Sequence, residues 1–301
     1  MSIEIISTVL VPASATPPAG AYDLTTLATV HTELEIPTAD TAKDAFLSAA
    51  ITGISGLIAN YVSRVFPIET VQDVLYLEQD AYPWQNPALL SPLQLSRWPL
   101  VNATPVAFTG TTNGTVNVTA VSSTAGLAVG MPVNSADGTV ATTIASIGSG
   151  TLTLAAAASS SETALALTAG INVVQTLSAL SSGAGSTQTL VYGQDYTIDA
   201  TKGWLIRLNS FTGVAAGWEA IPTTVRYQAG FATIPGDLVY ACLRMVTDRY
   251  YGRGRDPRLV EQTQPSLGTR RWWTGAMPNQ SGPFPPEIEA ILAPYRVPSV
   301  A

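Results

Sequence analysis

The 301 residues suffice for one large domain or two of ordinary size, each with a buried core. Only 12% of them are charged and the formal net charge is −7, which excludes wholesale coating of nucleic acid, since that requires many Lys and Arg side chains to neutralise phosphates. Solubility is left to hydroxyls and amides, a surface suited to a subunit packed among neighbours. Cys242 stands alone, so no internal disulfide framework is expected; a free thiol fits assembly in a reducing cytoplasm, and a small buried apolar residue is its simplest role.

In chain order, residues 1–21 read as an arm, with a short apolar run broken by Glu4 and no basic start of a signal peptide. No apolar stretch is expected to reach the roughly 20 residues of a membrane helix. Asp23 is placed to cap a short helix carrying Leu24, Leu27, Val30 and Leu34, ended by Pro37. Thr41 and Asp44 resemble a capping box, after which Phe46, Ala50, Ile54, Leu57, Ile58, Tyr61 and Val62 recur at helical spacing until Pro67. Residues 71–78 read as a strand. Residues 82–99, rich in Pro and aromatics, read as irregular with a short extended piece at 93–95.

The character changes at residues 103–170, where Asp137 and Glu162 are the only charges. Short alternating segments at 115–121, 139–144, 151–154 and 164–168 are separated by Asn113-Gly114, Asp137-Gly138 and Gly148-Ser149-Gly150, the turn residues of tight hairpins. A small inserted all-β domain is expected. Low complexity competes, because residues 155–161 are nearly all Ala and Ser, but Val, Ile and Leu still alternate through the region. Further strands are expected at 171–177, 190–198, 204–208 and 223–227. Pro235 then opens a helix with Leu238, Ala241, Cys242 and Met245 on one face, running to about residue 251. Residues 252–285 carry Arg, Pro, Gly and Gln without a period and read as an extended arm, leading to a short helix at 287–295.

Little of this points to catalysis. His31, the sole histidine, precludes two-histidine metal sites and reads as a solvated or half-buried helix side chain. Asp195 and Asp199 form a carboxylate pair of the kind glycoside hydrolysis uses, but turn formation accounts for Asp195. No phosphate-binding Gly-Lys-Ser or Gly-Lys-Thr occurs. No catalytic, metal or cofactor site is expected.

Charge is instead gathered in one place. Between positions 244 and 271 lie seven arginines against Asp248, Asp256 and Glu261. Arg249, Arg253, Arg255 and Arg258, interleaved with Tyr250 and Tyr251, suit carboxylate pairing with a neighbouring subunit; a helix C-terminus favoured by its dipole, and phosphate contact, are the other readings. Arg270, Arg271, Trp272 and Trp273 are residue types that dominate interface hot spots. Folding back on the chain's own sheet competes with docking on a partner, for which Ile288, Ile291 and Leu292 supply the apolar face of a helix laid in a groove.

Two blocks flank the β-insert, "AFLSAAITGISGLIANYVSRVF" with "VQDVLYLE", and "VYGQDYTID", "GWLIRL" and "TTVRYQAGFATIPGDLVYACLRMVTDRYYGRGRDPRLV" with the closing "PPEIEAILAPYR". Together they resemble the adaptor, or head-tail connector, proteins of long-tailed phages and gene-transfer particles, over residues 22–102 and 171–296. The resemblance implies an α+β fold: a helical adaptor core with a small antiparallel sheet (22–102 and 171–251), the inserted β-domain (103–170) and a C-terminal arm (252–301). It implies a structural virion protein assembled in the host cytoplasm, forming a ring, usually of twelve subunits, between the portal and the stopper or tail protein, with double-stranded DNA passing through the bore. A virion decoration or glycan-binding module is the alternative, and a cell-wall glycan hydrolase a third reading.

Overall fold

The computed structural model describes residues 3–13, 20–77, 92–177, 186–218, 221–253, 261–264, 268–271 and 284–296. The chain divides into two compact units, Met1–Pro12 with Ile68–Phe231, and Ala13–Pro67 with Ala232–Ala301. Strand outweighs helix, which overturns the expected helical adaptor core. The physical reason is that helical periodicity is confined to four segments, whereas the β-rich sequence pairs into one closed barrel and several sheets.

The first unit carries β1 (Ile3–Val11), β2 (Glu69–Leu77), β3 (Leu93–Gln94), β4 (Leu100–Val101), β5 (Val106–Thr112), β6 (Asn117–Thr119), β7 (Pro132–Ser135), β8 (Ala141–Gly148), β9 (Thr151–Leu154), β10 (Leu165–Ala169), β11 (Asn172–Leu177), β12 (Ser186–Thr189), β13 (Tyr196–Asp199), β14 (Trp204–Arg207) and β15 (Thr223–Ala229). The low-charge stretch closes into a six-stranded barrel in the order β10-β5-β6-β9-β8-β7, every neighbour antiparallel. Its interior is filled by Phe108, Val118, Met131, Val133, Ile144, Leu152, Leu154 and Leu167. Gly138 turns β7 into β8 at φ +80°, a backbone conformation that costs a side chain about 1 kcal/mol or more.

A six-stranded sheet runs β1-β2-β15-β11-β12, with β4 added along β15. Alternation places Val71 and Leu75 of β2, Val225 and Tyr227 of β15 and Val173 of β11 on one face. That face is covered by the small sheet β13-β14-β3 through Leu93, Tyr196 and Leu205. At its centre the buried Asp73 carboxylate accepts from Tyr227 Oη (2.6 Å), Ser96 N (2.8 Å) and Ser96 Oγ (2.8 Å). Burial, with the Asp73 charge second, holds the Tyr227 phenol well above its ordinary pKa.

Three hydrogen bonds tie the barrel to the sheet. Thr70 Oγ1 donates to Gly130 O (2.6 Å), Gln228 Nε2 to Val129 O (3.1 Å) and Arg226 Nη1 to Ala141 O (3.1 Å). Gly130 sits at φ +83°, and a Cβ there would fall 2.6 Å from Gln228 Nε2, so the joint needs a glycine for both reasons.

The second unit carries α1 (Leu27–Glu33), α2 (Asp44–Val62), α3 (Gly236–Gly252), a hairpin of β16 (Glu261–Gln264) and β17 (Gly268–Arg271), and α4 (Pro286–Leu292) followed by a 3₁₀ turn, Ala293–Tyr295. Leu47, Ile51, Ile54, Ile58 and Val62 of α2 are buried; the helix has the length and hydropathy of a membrane span, yet this apolar stripe is the core of its own unit. Cap positions differ from expectation. Thr26, not Asp23, caps α1, accepting from Thr29 N (3.2 Å), because Asp23 is engaged by Gly20 N (2.6 Å) and Thr52 Oγ1 (3.3 Å). No Thr41 capping box forms: α2 begins behind Lys43 with no side-chain cap, and its Asp44 carboxylate is instead 2.8 Å from His31 Nε2. His31 is accordingly buried. The unperiodic C-terminal stretch expected as an extended arm contains the hairpin, with Glu261 opposite Arg271 and Gln264 opposite Gly268.

Candidate functional site

The cationic cluster is built on the last turns of α3. Arg253 lies over the Tyr250 ring at 4.2 Å and over Phe46 at 5.9 Å, and Lys43 Nζ donates to Tyr250 Oη at 3.2 Å. Lys43, and after it Arg253, pulls the Tyr250 phenol below its ordinary pKa. Arg249 is exposed, and its Nη1 lies 3.8 Å from where a Cβ on Gly53 of α2 would stand. Lys43 and Arg253 thus flank an aromatic pair, the half-buried Tyr250 packing edge-on to the exposed Tyr251 at 5.3 Å, with Lys43 half-buried and Arg253 exposed. Such a patch suits carboxylate or phosphate contact, with cation–π pairs contributing about 0.5–1 kcal/mol each at the surface. Arg255, Arg258, Trp272 and Trp273 lie outside the described residues. Arg270 and Arg271 are on β17.

Of the helix expected to lie in a partner's groove, Ile288 and Leu292 are buried within the unit itself, at 1% and 0% exposure, and Ile291 is half-buried. Their burial follows from the ring of contacts around α4. Phe284 meets Tyr61 edge-on at 5.0 Å, Tyr240 Oη donates to Glu287 Oε1 at 3.1 Å, and Tyr295 Oη donates to the Asp237 carboxylate at 2.7 Å. Burial, then Asp237, pushes the Tyr295 phenol up to about 12.

The remaining chemical candidates are taken up by local structure. Asp195 accepts from Val191 N (2.9 Å) and lies 3.8 Å from Arg207 Nη1; Asp199 accepts from Thr201 Oγ1 (2.6 Å), which holds its pKa down. Each serves its own turn, the role sequence assigns to Asp195. Cys242 is buried beside Ser55 Oγ (3.7 Å), and burial pushes its thiol up to about 11. The barrel's two charges converge on one residue: Thr139 Oγ1 lies 2.7 Å from Asp137 Oδ2 and 3.0 Å from Glu162 Oε1. Hydrogen bonds from Ser135 and Thr139 hold the Asp137 carboxyl well below its ordinary range.

Two features had no sequence signal read as functional. Along β1 every residue from Glu4 to Leu10 is exposed, including Ile5, Ile6, Val9 and Leu10 at 36–48%. This strand pairs only with β2, so among the described residues its outer edge is open. Ile5 and Val9 stand opposite the buried Leu75 and Val71, extending the core face one strand beyond its cover. The run "IEIISTVLV", expected within an N-terminal arm, is a strand at the edge of the sheet and holds no Lys or Pro. The second feature is a cleft of about 720 Å³ between barrel and sheet, lined among others by Asn134, Asp137, Asn172, Gln188, Thr224 and Arg226. These residues come from four strands and the β7–β8 turn, and no sequence spacing connects them.

No protein-family model matches the sequence, and no curated protein is similar to it. Among solved structures, the chain is similar to one from the neck of an empty GTA particle computed with C6 symmetry, with 13% identity and a TM-score of 0.38 over 99% of this chain and 97% of that chain. A likeness at that level carries no argument about this chain.

Proposed function

We propose that the chain is a structural neck protein of a phage-like particle: an adaptor subunit that forms a ring with copies of itself, joins the portal to the stopper or tail protein, and leaves a bore through which double-stranded DNA passes. The observation that carries the reading is β1. A nine-residue edge strand with exposed Ile5, Ile6, Val9 and Leu10 is costly for a free monomer, because it invites pairing with any other strand. In a ring, where each subunit contacts the next through two different surfaces, such an edge is covered by the neighbour. The sequence blocks on either side of the barrel support the same reading independently.

In this assembly Arg249, Arg253, Arg255 and Arg258 pair with carboxylates of the neighbour or the portal, and Arg270, Arg271, Trp272 and Trp273 anchor the C-terminal segment on the portal. Ile288 and Leu292 serve by fixing α4, since their side chains are already covered. The sites of assembly are the host cytoplasm and then the virion neck. The test is electron microscopy of the purified chain mixed with portal particles of the same virion. A ring of this subunit seated on the portal is expected, and truncation after Gly268 should remove it. A chain that stays monomeric and leaves the portal bare overturns the reading.

A further inference from the structure

The cleft between barrel and sheet has a property that a structural joint does not need. Arg226 is half-buried, and its guanidinium is held at two points, Nε donating to Gln72 Oε1 at 2.7 Å and Nη1 to Ala141 O at 3.1 Å. Both acceptors are neutral. Among the described residues no carboxylate bears on Arg226, and partial burial already disfavours its charge. Its remaining N–H groups are oriented by those two bonds, and the side chain lines the cleft. A fixed, partly desolvated guanidinium is matched best by a carboxylate taken bidentately.

The other walls define what must carry that carboxylate. Asn134, Asn172, Gln188, Thr189 and Thr224 offer amide and hydroxyl groups able both to donate and to accept, the complement of a ligand rich in hydroxyls. Asp137, on the barrel side of the same cleft, is an acceptor that repels polyanions such as nucleic acid or multiply charged phosphates. Among the described residues no aromatic side chain lines the cleft, so they offer no platform for a stacked base or aromatic ligand. A volume of about 720 Å³ is in the range of small-molecule sites and admits one or two sugar rings.

We propose that this cleft binds an acidic saccharide, its carboxylate on Arg226 and its hydroxyls on Asp137 and the surrounding amides. The site does not rest on the neck reading, and it uses no residue assigned to the ring or portal contacts.

The test is an NMR titration of the full chain with glucuronate, with glucose and acetate as the two half-ligands and a short Asp-containing peptide as the competing class. Glucuronate is expected to shift the amides of Asn134, Asn172 and Arg226, with glucose and acetate each at least about tenfold weaker. Arg226→Met should weaken glucuronate about tenfold or more, and Arg226→Lys should recover only part of that loss, since a point charge cannot pair bidentately. Because Arg226 also bridges to Ala141, Thr224→Val serves as a second variant that leaves this bridge intact; a several-fold loss of affinity is expected at an unchanged melting temperature. Absence of shifts with glucuronate overturns the proposal. So does acetate binding as tightly as glucuronate, which marks an unspecific anion site, or tighter binding of the peptide, or unchanged affinity in Thr224→Val.

Discussion

The barrel and the six-stranded sheet belong to one compact unit, yet they treat their edges and their charges in opposite ways. Closure gives the barrel no free strand edge, and its two carboxylates, the exposed Asp137 and the half-buried Glu162, meet at the Thr139 hydroxyl. The sheet ends in β1, whose edge is open and largely apolar, and it buries a carboxylate in its core, Asp73 at 0% exposure, bonded to the buried Tyr227. The barrel is therefore self-sufficient, and the sheet is unfinished. The ring contact proposed above falls on the part left incomplete.

The comparison is sharpened most by deleting core contacts. Leu152→Ala, in the barrel interior at 1% exposure, should cost about 2–5 kcal/mol, read as a lower urea midpoint from methyl signals of Ile144 and Leu154. Asp73→Ala should cost about 2–4 kcal/mol in the sheet, because Tyr227 Oη and Ser96 lose a buried charged acceptor. The sheet's loss should appear in Trp218 fluorescence, as Trp218 belongs to that core and the barrel sequence holds no Trp. Equal loss of both signals in both variants would show that the two parts unfold as one and break the distinction.

Alkaline pH separates the two parts further. Tyr196 and Tyr227 have pKa values raised above the ordinary 10.0, by burial first in each case. A group raised in the folded state binds its proton more tightly there, so its contribution is fully present below about pH 10 and is lost as pH rises toward the folded value. The sheet should thus weaken above pH 10, whereas the barrel sequence contains no Tyr, Cys, Lys or His and should not. The barrel is sensitive in the other direction. Asp137 is depressed, so its contribution is present above the ordinary carboxylate value of 3.8 and is lost only as pH falls below it. Urea unfolding at pH 8 and pH 11, followed by both probes, checks the alkaline half.

The smallest expected effect on stability is the most telling for function. Ile6→Lys with Leu10→Lys replaces exposed side chains and should change the urea midpoint by less than about 0.5 kcal/mol. Self-association measured by sedimentation should nevertheless be lost, because charges on an edge strand block strand addition. Thr168→Lys on the exposed barrel surface should leave association unchanged. If association survives the β1 changes and fails with Thr168→Lys, the roles of sheet and barrel are reversed.

The residues explain why some of this was legible. Asn113-Gly114, Asp137-Gly138 and Gly148-Ser149-Gly150 lie at turns where Gly114, Gly138 and Gly150 take positive φ, a requirement written in the dipeptide itself. The helical stripes declare a buried face in part: Ala50, Ile54, Ile58 and Val62 of α2 and Leu238, Ala241 and Cys242 of α3 are buried, whereas Leu57 is exposed, Phe46, Tyr61 and Met245 are half-buried, and the buried Leu47 and Ile51 fall outside the expected stripe. The caps were not legible, because Asp23 and Thr26 are both good capping residues and only the start of α1 at Leu27 assigns the role to Thr26, leaving Asp23 to Gly20 N and Thr52 Oγ1. His31 carries no local sign of burial beside Asp44, and the arginines at 249–258 form a cluster visible in sequence whereas Arg226 stands alone in a strand.

Sequence alone determined where the chain turns, which segments have an apolar face, and that charge is nearly absent from residues 103–170, since each depends on the chemistry of a few adjacent residues. Tertiary structure decided that strand outweighs helix, that six short strands close into a barrel, that β1 lies at an open edge, and that Asn134, Asn172 and Arg226 share a cleft. Those outcomes depend on strand register and on contacts between residues as far apart as Ile5 and Leu75. Pairing of that range is selected by the burial of the whole unit, and no local pattern encodes it.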